Sequence, residues 1–580
     1  MKAAIENQSA IEAALGELRA LLGERVTAAL VAREHHSHGE STHAPGLPDL
    51  VCFPRSTEEV SGIVKVSARH GLPIVPFGAG TSLEGHVHAL RGGICVDMRQ
   101  MNRVLRVSVE DLDATVEAGI GRLALQKALD NTGLTFFIDP GADATIGGMA
   151  STRASGTTAV RYGTMRENVL GLTVVLADGR VIQTGGRARK SSAGYDLTRL
   201  FVGAEGTLGV ITEVTLRLHA LPESVGVAVC PFATVEGAVR TVIEAIQLGL
   251  NPARIEFMDS AQVDAVNRYS RLDLAVRPTL LMEFHGLSEA SVEETAKLAE
   301  GLAMEHGGLG FDWQTTEAGR ERLWKARHDV YYASRAIRPG SNVLTTDVCV
   351  PISRLAECMV ATRADLDGRS FPAVMVGHVG DGNFHVQCLL GPDQGAEADQ
   401  FAARLVERAQ AMGGTCTGEH GVGSGKMKYL KAEHGEGLEV MRTLKRALDP
   451  ENRMNPGKII DRELHTQLPW RGEHMKYELN REVLSAVHDE RVFQNRKWGT
   501  MTEHSHEVGG YLTIMRKLLT DAEAAWTSSK GDEGSLDEIR KVVAVGIACM
   551  EQHGAVIRDP QTFVSLAAKT GKYSHSVNGE

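Results

Sequence analysis

PFGAGTSLEGH, residues 76–86, places Gly78, Gly80 and Gly85 behind the β-like run PIV, with the hydroxyls of Thr81 and Ser82 between them. Glycine lets backbone approach a ligand closely or adopt φ > 0, so such a loop can present N–H groups to a phosphate or pyrophosphate. The spacing is not GxGxxG opening a long helix, and it fits a Rossmann site poorly. Alone, it could be a tight turn. Two more segments weigh against that. PGADATIGGMASTRASGTTAVRYG (residues 140–163) is dense in small and hydroxyl side chains, suited to backbone lying along a long ligand, and FVGAEGTLGVIT (residues 201–212) is a third glycine-rich β-turn. Three such segments within about 140 residues imply an extended cofactor with a diphosphate.

Outward from these, residues 50–220 alternate short β-like runs (LVCFP, GGICVDM, VLGLTVVLADG) with glycine-rich turns. Two helices, TEEVSGIVKVSARHG and GRLALQKALDNTG, stop at Gly71 and Gly133. The pattern is α+β. Residues 221–420 form a second α+β unit, with longer helices (ATVEGAVRTVIEAIQLGL, LSEASVEETAKLAEGLAMEHG) between strands such as TLLMEFHG. Beyond about residue 465, REVLSAVHDERVFQNRKW, GGYLTIMRKLLTDAEAAW and SLDEIRKVVAVGIACMEQHG read as three helices, with TSSKGDEGS as a solvated linker. Three of the five Trp (Trp470, Trp498, Trp526) fall in this last stretch.

Composition sets the bounds. With 43% hydrophobic and 23% charged residues, the 580-residue chain is that of an ordinary globular protein with room for several domains. Its formal charge of −11 argues against a nucleic-acid partner, which requires a basic surface. Eight Cys without a CxxC pair fit neither a disulfide framework nor a zinc ribbon, and suit a reducing compartment. The N-terminal MKAAIENQSAIEAALGELRALLGERV is interrupted by charges, so it reads as an amphipathic helix rather than a signal peptide or membrane span. No transmembrane segment is expected, and a cytoplasmic location, peripheral to the inner membrane at most, follows.

A second chemical constellation lies further on. GHVGDGNFH carries His378 and His385, and GEHGVGSGK carries Glu419 and His420. On one uninterrupted strand the two histidines would face opposite ways, but the Gly380-Asp381-Gly382-Asn383 turn can bring them together. With Glu419 they make a His2Glu set suited to a divalent metal, Zn or Mn, with open positions for substrate. ERLWKARHDVYYASR offers cations for a substrate carboxylate at Arg322, Lys325, Arg327 and Arg335.

The three glycine-rich segments, in this order and spacing, resemble the flavin-binding domain of the vanillyl-alcohol-oxidase type (PCMH-type). Within it they resemble the FAD-linked D-2-hydroxy-acid dehydrogenases, the branch with cytochrome-type D-lactate dehydrogenase and the glycolate oxidase flavoprotein subunit. The resemblance covers about residues 15–462. It implies non-covalent FAD, with the pyrophosphate at Pro76, Gly78, Ala79, Gly80, Thr81 and Ser82 and with Gly85 closing that loop. It further implies contacts from Pro140, Thr145, Gly147, Gly148, Ser151, Ser155, Gly156 and Tyr162, then from Glu205, Gly206, Gly209 and Ile211, and finally from Asn455. His378, His385 and Glu419 match the family's metal ligands, His420 its general base and Arg327, in a Trp-x-x-Arg context, its carboxylate-binding arginine. Thr346 stands near where D-2-hydroxyglutarate enzymes carry a Lys, which favours a monocarboxylate.

The expected organisation is an N-terminal helical segment (1–47), an FAD-binding domain (48–220), a substrate or cap domain with the metal site (221–420), a segment returning to the FAD domain (421–465) and a helical accessory module (466–580). The expected activity is oxidation of D-lactate to pyruvate. Glycolate and D-2-hydroxyglutarate are rival substrates, and a flavin-bearing subunit whose tail recruits a partner is the rival from another class. A cytochrome, a quinone or an electron-transfer flavoprotein would accept the electrons, and a homodimer is allowed. The tail distantly resembles MazG-type nucleotide pyrophosphohydrolases through ERVFQNRKWG, but with only Asp521 and Glu523 it lacks their full carboxylate set.

Overall fold

In the computed structural model, residues 2–188, 190–460, 481–498, 507–526 and 531–553 are described. The chain divides into two compact units near residue 464. Helix Thr57–His70 organises the first part of the larger unit. Ser56 caps it by accepting the N–H of Glu59, and Gly71 ends it at φ 65°. Val60, Ile63 and Val64, at helical spacing, pack on Leu50, Ile74, Ile94 and Val96 of one sheet and on Val175 and Val210 of another. The first sheet runs Val26–Thr27, Leu50–Cys52, Ile94–Asp97, Ile74–Phe77, its last two pairings parallel. The second is antiparallel, in the order Val104–Ser108, Asp113–Glu117, Val210–Arg217, Val169–Val175, Val181–Gly185. The α+β reading holds.

Residues 2–47 are less helical than expected. After helices Lys2–Leu22 and Leu30–His35 the breakers Gly39, Pro45 and Gly46 leave an irregular strap. It crosses loop 76–86, where Glu40 N donates to Gly80 O at 3.0 Å, and it is tied down by Ala89 N on Gly46 O.

The second part is an antiparallel sheet in the order Asp312–Gln314, Ser224–Pro231, Thr279–Gly286, Arg254–Met258, Ala373–Gly377, Asn383–Leu390, Asn342–Thr345. Alternation assigns its faces. Ile255, Phe257, Phe384, Val386 and Cys388 enter a large core with helices Val235–Gln247, Glu289–Glu305, Leu355–Leu366 and Gly395–Ala411. Glu256 and His385 therefore face the other side, where Met258, Val376, Leu323 and Trp324 form a smaller core.

After helix Gly437–Leu448 the chain returns to the first sheet. Arg453 O accepts from Ile74 N at 2.8 Å, and Asn455 N donates to Ile74 O at 2.7 Å. The buried Lys445 ammonium donates to Thr207 O and Met454 O and pairs with Asp449.

The smaller unit contains helices Arg481–Trp498, Val508–Trp526 and Gly531–His553, with Tyr511, Val545 and Ala548 in a small core. The last helix starts inside the expected linker TSSKGDEGS, because Gly531–Ser535 are already helical. Thr527–Lys530, Trp470 and the boundary at 465/466 lie outside the described residues. Asp521 is paired with Lys517 one turn earlier. No described helix is long and apolar enough to cross a membrane.

Candidate active site

Loop 76–86, the turn into helix Ile146–Thr152 and the turn at 205–211 converge on one cleft of about 1210 Å³, its open mouth included. Of the expected cofactor contacts it is lined by Pro76, Gly78, Ala79, Gly80, Thr81, Ser82, Pro140, Thr145, Gly147, Gly148, Ser151, Ser155, Glu205, Gly206, Gly209, Ile211 and Asn455. Among the described residues, no protein group accepts the backbone N–H of any residue from Gly78 to Ser82, and the buried Ser82 hydroxyl has no partner. A Cβ on Gly78 would sit 2.2 Å from Thr145 Oγ1, so glycine is what keeps this wall open. Open donors on a close-packed glycine loop fit a dinucleotide diphosphate.

Three expected contacts stand off the cleft wall. Gly156, at φ 143°, lets the chain pass Asp139 O, which a Cβ would meet at 1.9 Å. Gly85, at φ 75°, makes room for Ser424. Tyr162 stacks on Phe137 at 3.8 Å, and its hydroxyl meets His285 Nδ1 on strand Thr279–Gly286 at 2.7 Å. The apolar lining, Phe77, Met98, Ala118 and Met149 among it, carries no signal in the sequence that distinguishes it from ordinary core. His86, at the end of loop 76–86, also lines the cleft, with its imidazole 3.2 Å from Glu205 Oε1.

Glu419 and His420 also stand in this wall. His378 ends strand Ala373–Gly377, the chain turns through Gly382 at φ 79°, and His385 returns on strand Asn383–Leu390. The turn thus brings the imidazoles together, 5.5 Å apart and nearly perpendicular. Glu419 Oε1 lies 3.3 Å from His378 Nε2 and 3.1 Å from His385 Nε2, and one ligand atom from each residue falls within a 4.8 Å group. Two imidazoles and a carboxylate at that separation fit a divalent cation. His420 stacks on His385 at 5.0 Å, with Nε2 3.8 Å from Glu419 Oε1.

A supporting layer surrounds these groups. Glu256, fully buried, reaches His378 Nδ1 at 2.7 Å with one oxygen and Arg327 Nε at 2.6 Å with the other. Arg327 lies one turn beyond Leu323 and Trp324, whose packing aims that helix face at the sheet. His385 Nδ1 sits 3.1 Å from Thr346 O. Burial opposes charge on His378, but Glu256 and Glu419 prevail and hold its pKa at about 10. Burial would raise the Glu419 carboxyl, yet His378 and His385 keep it well below the usual range. His420 is depressed, chiefly by burial, and is therefore a neutral imidazole near pH 7. Glu256 was not anticipated, although a carboxylate between Ile255 and Phe257 in a strand was a visible signal.

Two family models match the chain: an FAD binding domain over residues 48–185, and the C-terminal domain of FAD linked oxidases over residues 221–459. The probable mitochondrial D-lactate dehydrogenase of Danio rerio is 51% identical over 461 residues, which is 78% of this chain and 93% of the relative. The mitochondrial D-lactate dehydrogenase (cytochrome) 1 of Saccharomyces cerevisiae is 39% identical, covering 72% of this chain and 74% of its own. Glycolate oxidase subunit GlcD of Bacillus subtilis is 35% identical, covering 73% and 92%. Among solved structures, p-cresol methylhydroxylase with substrate bound superposes with a TM-score of 0.66 at 19% identity, covering 78% of this chain and 98% of that one, a likeness of fold. By its domain models and its relatives alike, the chain belongs to the FAD-linked oxidases, among the FAD-dependent D-2-hydroxy-acid dehydrogenases.

Proposed function

We propose that the protein oxidises D-lactate to pyruvate, with FAD held non-covalently in the cleft and a divalent cation, zinc or manganese, at His378, His385 and Glu419. One observation carries this reading: Glu419 and His420 stand in the wall of the same cleft that the glycine-rich segments line. A 2-hydroxy acid must lose a proton from its hydroxyl and a hydride from C2. FAD, when bound, supplies the hydride acceptor. A cation at the His2Glu set supplies a Lewis acid that lowers the hydroxyl pKa.

The remaining work falls to the chain. Neutral His420 takes the hydroxyl proton on Nε2. Arg327, with Nε on Glu256, offers its terminal guanidinium edge to the substrate carboxylate. Glu256 and Thr346 O fix the orientation of His378 and His385. The Thr346 hydroxyl accepts from Val386 N and brings no cation for a second carboxylate, which supports a monocarboxylate over D-2-hydroxyglutarate.

The yeast relative's name supports a cytochrome as electron acceptor, ahead of a quinone or an electron-transfer flavoprotein, and the Bacillus relative's name makes glycolate the second substrate to test. We place the protein in the cytoplasm, at the inner-membrane surface where such an acceptor would be met, with residues 466–580 as an accessory module. The test is anaerobic bleaching of the bound flavin by a panel of D- and L-2-hydroxy acids. D-lactate should reduce it fastest; no bleaching by D-lactate would overturn the reading.

A further inference from the structure

Lys426 is a buried cation that the chemistry above does not use; its side chain is 9% exposed. Its Nζ lies 3.2 Å from Glu84 Oε1 on one side, and on the other 3.5 Å from Asp347 Oδ2 and 3.3 Å from Asp347 O. Glu84 belongs to loop 76–86 of the cofactor cradle. Asp347 lies in the cap, between strands Asn342–Thr345 and Val348–Cys349.

Asp347 is committed to the loop that carries the reacting groups. Its Oδ2 accepts the backbone N–H of Glu419 at 3.0 Å and of His420 at 2.9 Å, and the Thr417 hydroxyl at 2.7 Å. Its Oδ1 accepts from Asn383 Nδ2 at 2.8 Å. The Glu84 carbonyl meanwhile accepts from Ser424 N at 2.9 Å and Gly425 N at 3.3 Å. The loop itself has little stiffness: Gly418, Gly421, Gly423 and Gly425 punctuate it, with Gly421 at φ 79° and Gly423 at φ 49°. A segment this rich in glycine cannot hold a metal ligand and a base within a fraction of an ångström unaided. Burying three charges in a row is costly unless each is paired, and apolar packing would stabilise the fold as well. What the Glu84–Lys426–Asp347 chain adds is a fixed distance between cofactor cradle and catalytic loop.

We propose that Lys426 is a positioning residue: it ties Glu84 of the flavin-side loop to Asp347, and so holds the backbone from which Glu419 and His420 project. This rests on the roles given to Glu419 and His420 above. The catalytic loop is then registered to the cofactor and not to the cap alone. Glu205 adds a second hold from the same side, accepting Val422 N at 2.7 Å and Gly423 N at 2.8 Å.

The test compares the holoenzyme with Lys426→Met and Glu84→Gln, reading amide hydrogen exchange and anaerobic flavin reduction by D-lactate. In Lys426→Met the amides of Glu419 and His420 should exchange at least about tenfold faster, while those of strand Asn383–Leu390 stay protected. The reduction rate should fall roughly 10–100-fold, as for a small misplacement of reacting groups, with the D-lactate Kd within about threefold of wild type. Glu84→Gln, which keeps the lysine, should shift both readouts in the same direction and decides the matter if Lys426→Met does not fold. Unchanged exchange at Glu419 and His420 would overturn the proposal, as would faster exchange spread evenly over the cap. His420→Asn run in parallel separates the two readings: wild-type flavin reduction by that variant defeats the base assignment, while the exchange data still judge the tie.

Discussion

Glu256→Gln removes a charge one layer behind the proposed metal site. The carboxylate is fully buried, with Oε1 2.7 Å from His378 Nδ1 and Oε2 2.6 Å from Arg327 Nε. Glutamine keeps the shape but has one acceptor oxygen where two stood, so its NH2 must face either the imidazole or the guanidinium. Losing one charge-assisted hydrogen bond costs about 1.5–3 kcal/mol. Carried wholly by metal binding, that is roughly 10–150-fold, in line with the 10–100-fold usual when a group orienting a metal ligand is lost. The assay is titration of metal-free protein with Zn²⁺ or Mn²⁺ against a competing chelator, with flavin content and melting temperature measured alongside. The expected result is a Kd raised about 10–100-fold with flavin content unchanged. A Kd within twofold of wild type in a folded variant would show that His378 is not a ligand or that Glu256 does not orient it.

Further outcomes follow from the same geometry. The His378 pKa in the metal-free protein, about 10, lies above its ordinary value of 6.5, so the stability it contributes is fully present below pH 6.5 and is lost as pH rises toward 10. A cation must displace that proton, so apparent metal affinity should rise with pH by up to about tenfold per unit across that window, and a flat profile would contradict the site. His420→Asn should slow flavin reduction by roughly 10²–10⁴-fold with little change in substrate Kd; a loss below tenfold in stopped-flow reduction would place the base elsewhere. Gly78→Ala puts a methyl 2.2 Å from Thr145 Oγ1, and should cost about 1–3 kcal/mol of stability together with much of the FAD affinity, read by flavin fluorescence on dilution.

The flavin cradle was legible because its constraint is local. Close backbone approach selects glycine at each position, and three such loops survive in the sequence as three glycine clusters. The proposed metal ligands were legible for a similar reason, since the turn at Gly380–Asn383 is written between His378 and His385. Glu256, Asp347 and Lys426 were not, because sheet pairing and loop closure bring them together across separations of 122 residues (Glu256 to His378) and 79 (Asp347 to Lys426). Taken singly, each reads as an ordinary charge. Tyr162, expected at the cofactor, ends the short helix Ala159–Tyr162, and its hydroxyl meets His285 Nδ1, a partner 123 residues away that no local pattern announces. The strap at residues 36–46 leaves no trace in the sequence, as irregular chain has no periodicity.

Asn455 has a consequence for how the protein comes to exist. Its amide joins His86 O, 369 residues earlier, to Glu205 O, 250 residues earlier, and the cleft wall is incomplete until it arrives. At 5–20 residues per second, a ribosome that has finished Glu205 needs on the order of 10–50 s more to deliver Asn455. Throughout that interval the flavin half lacks the residue that closes its cleft wall, so FAD is expected to be captured only after Asn455 has emerged. Products released early should be substrates for proteolysis rather than dormant apoenzyme.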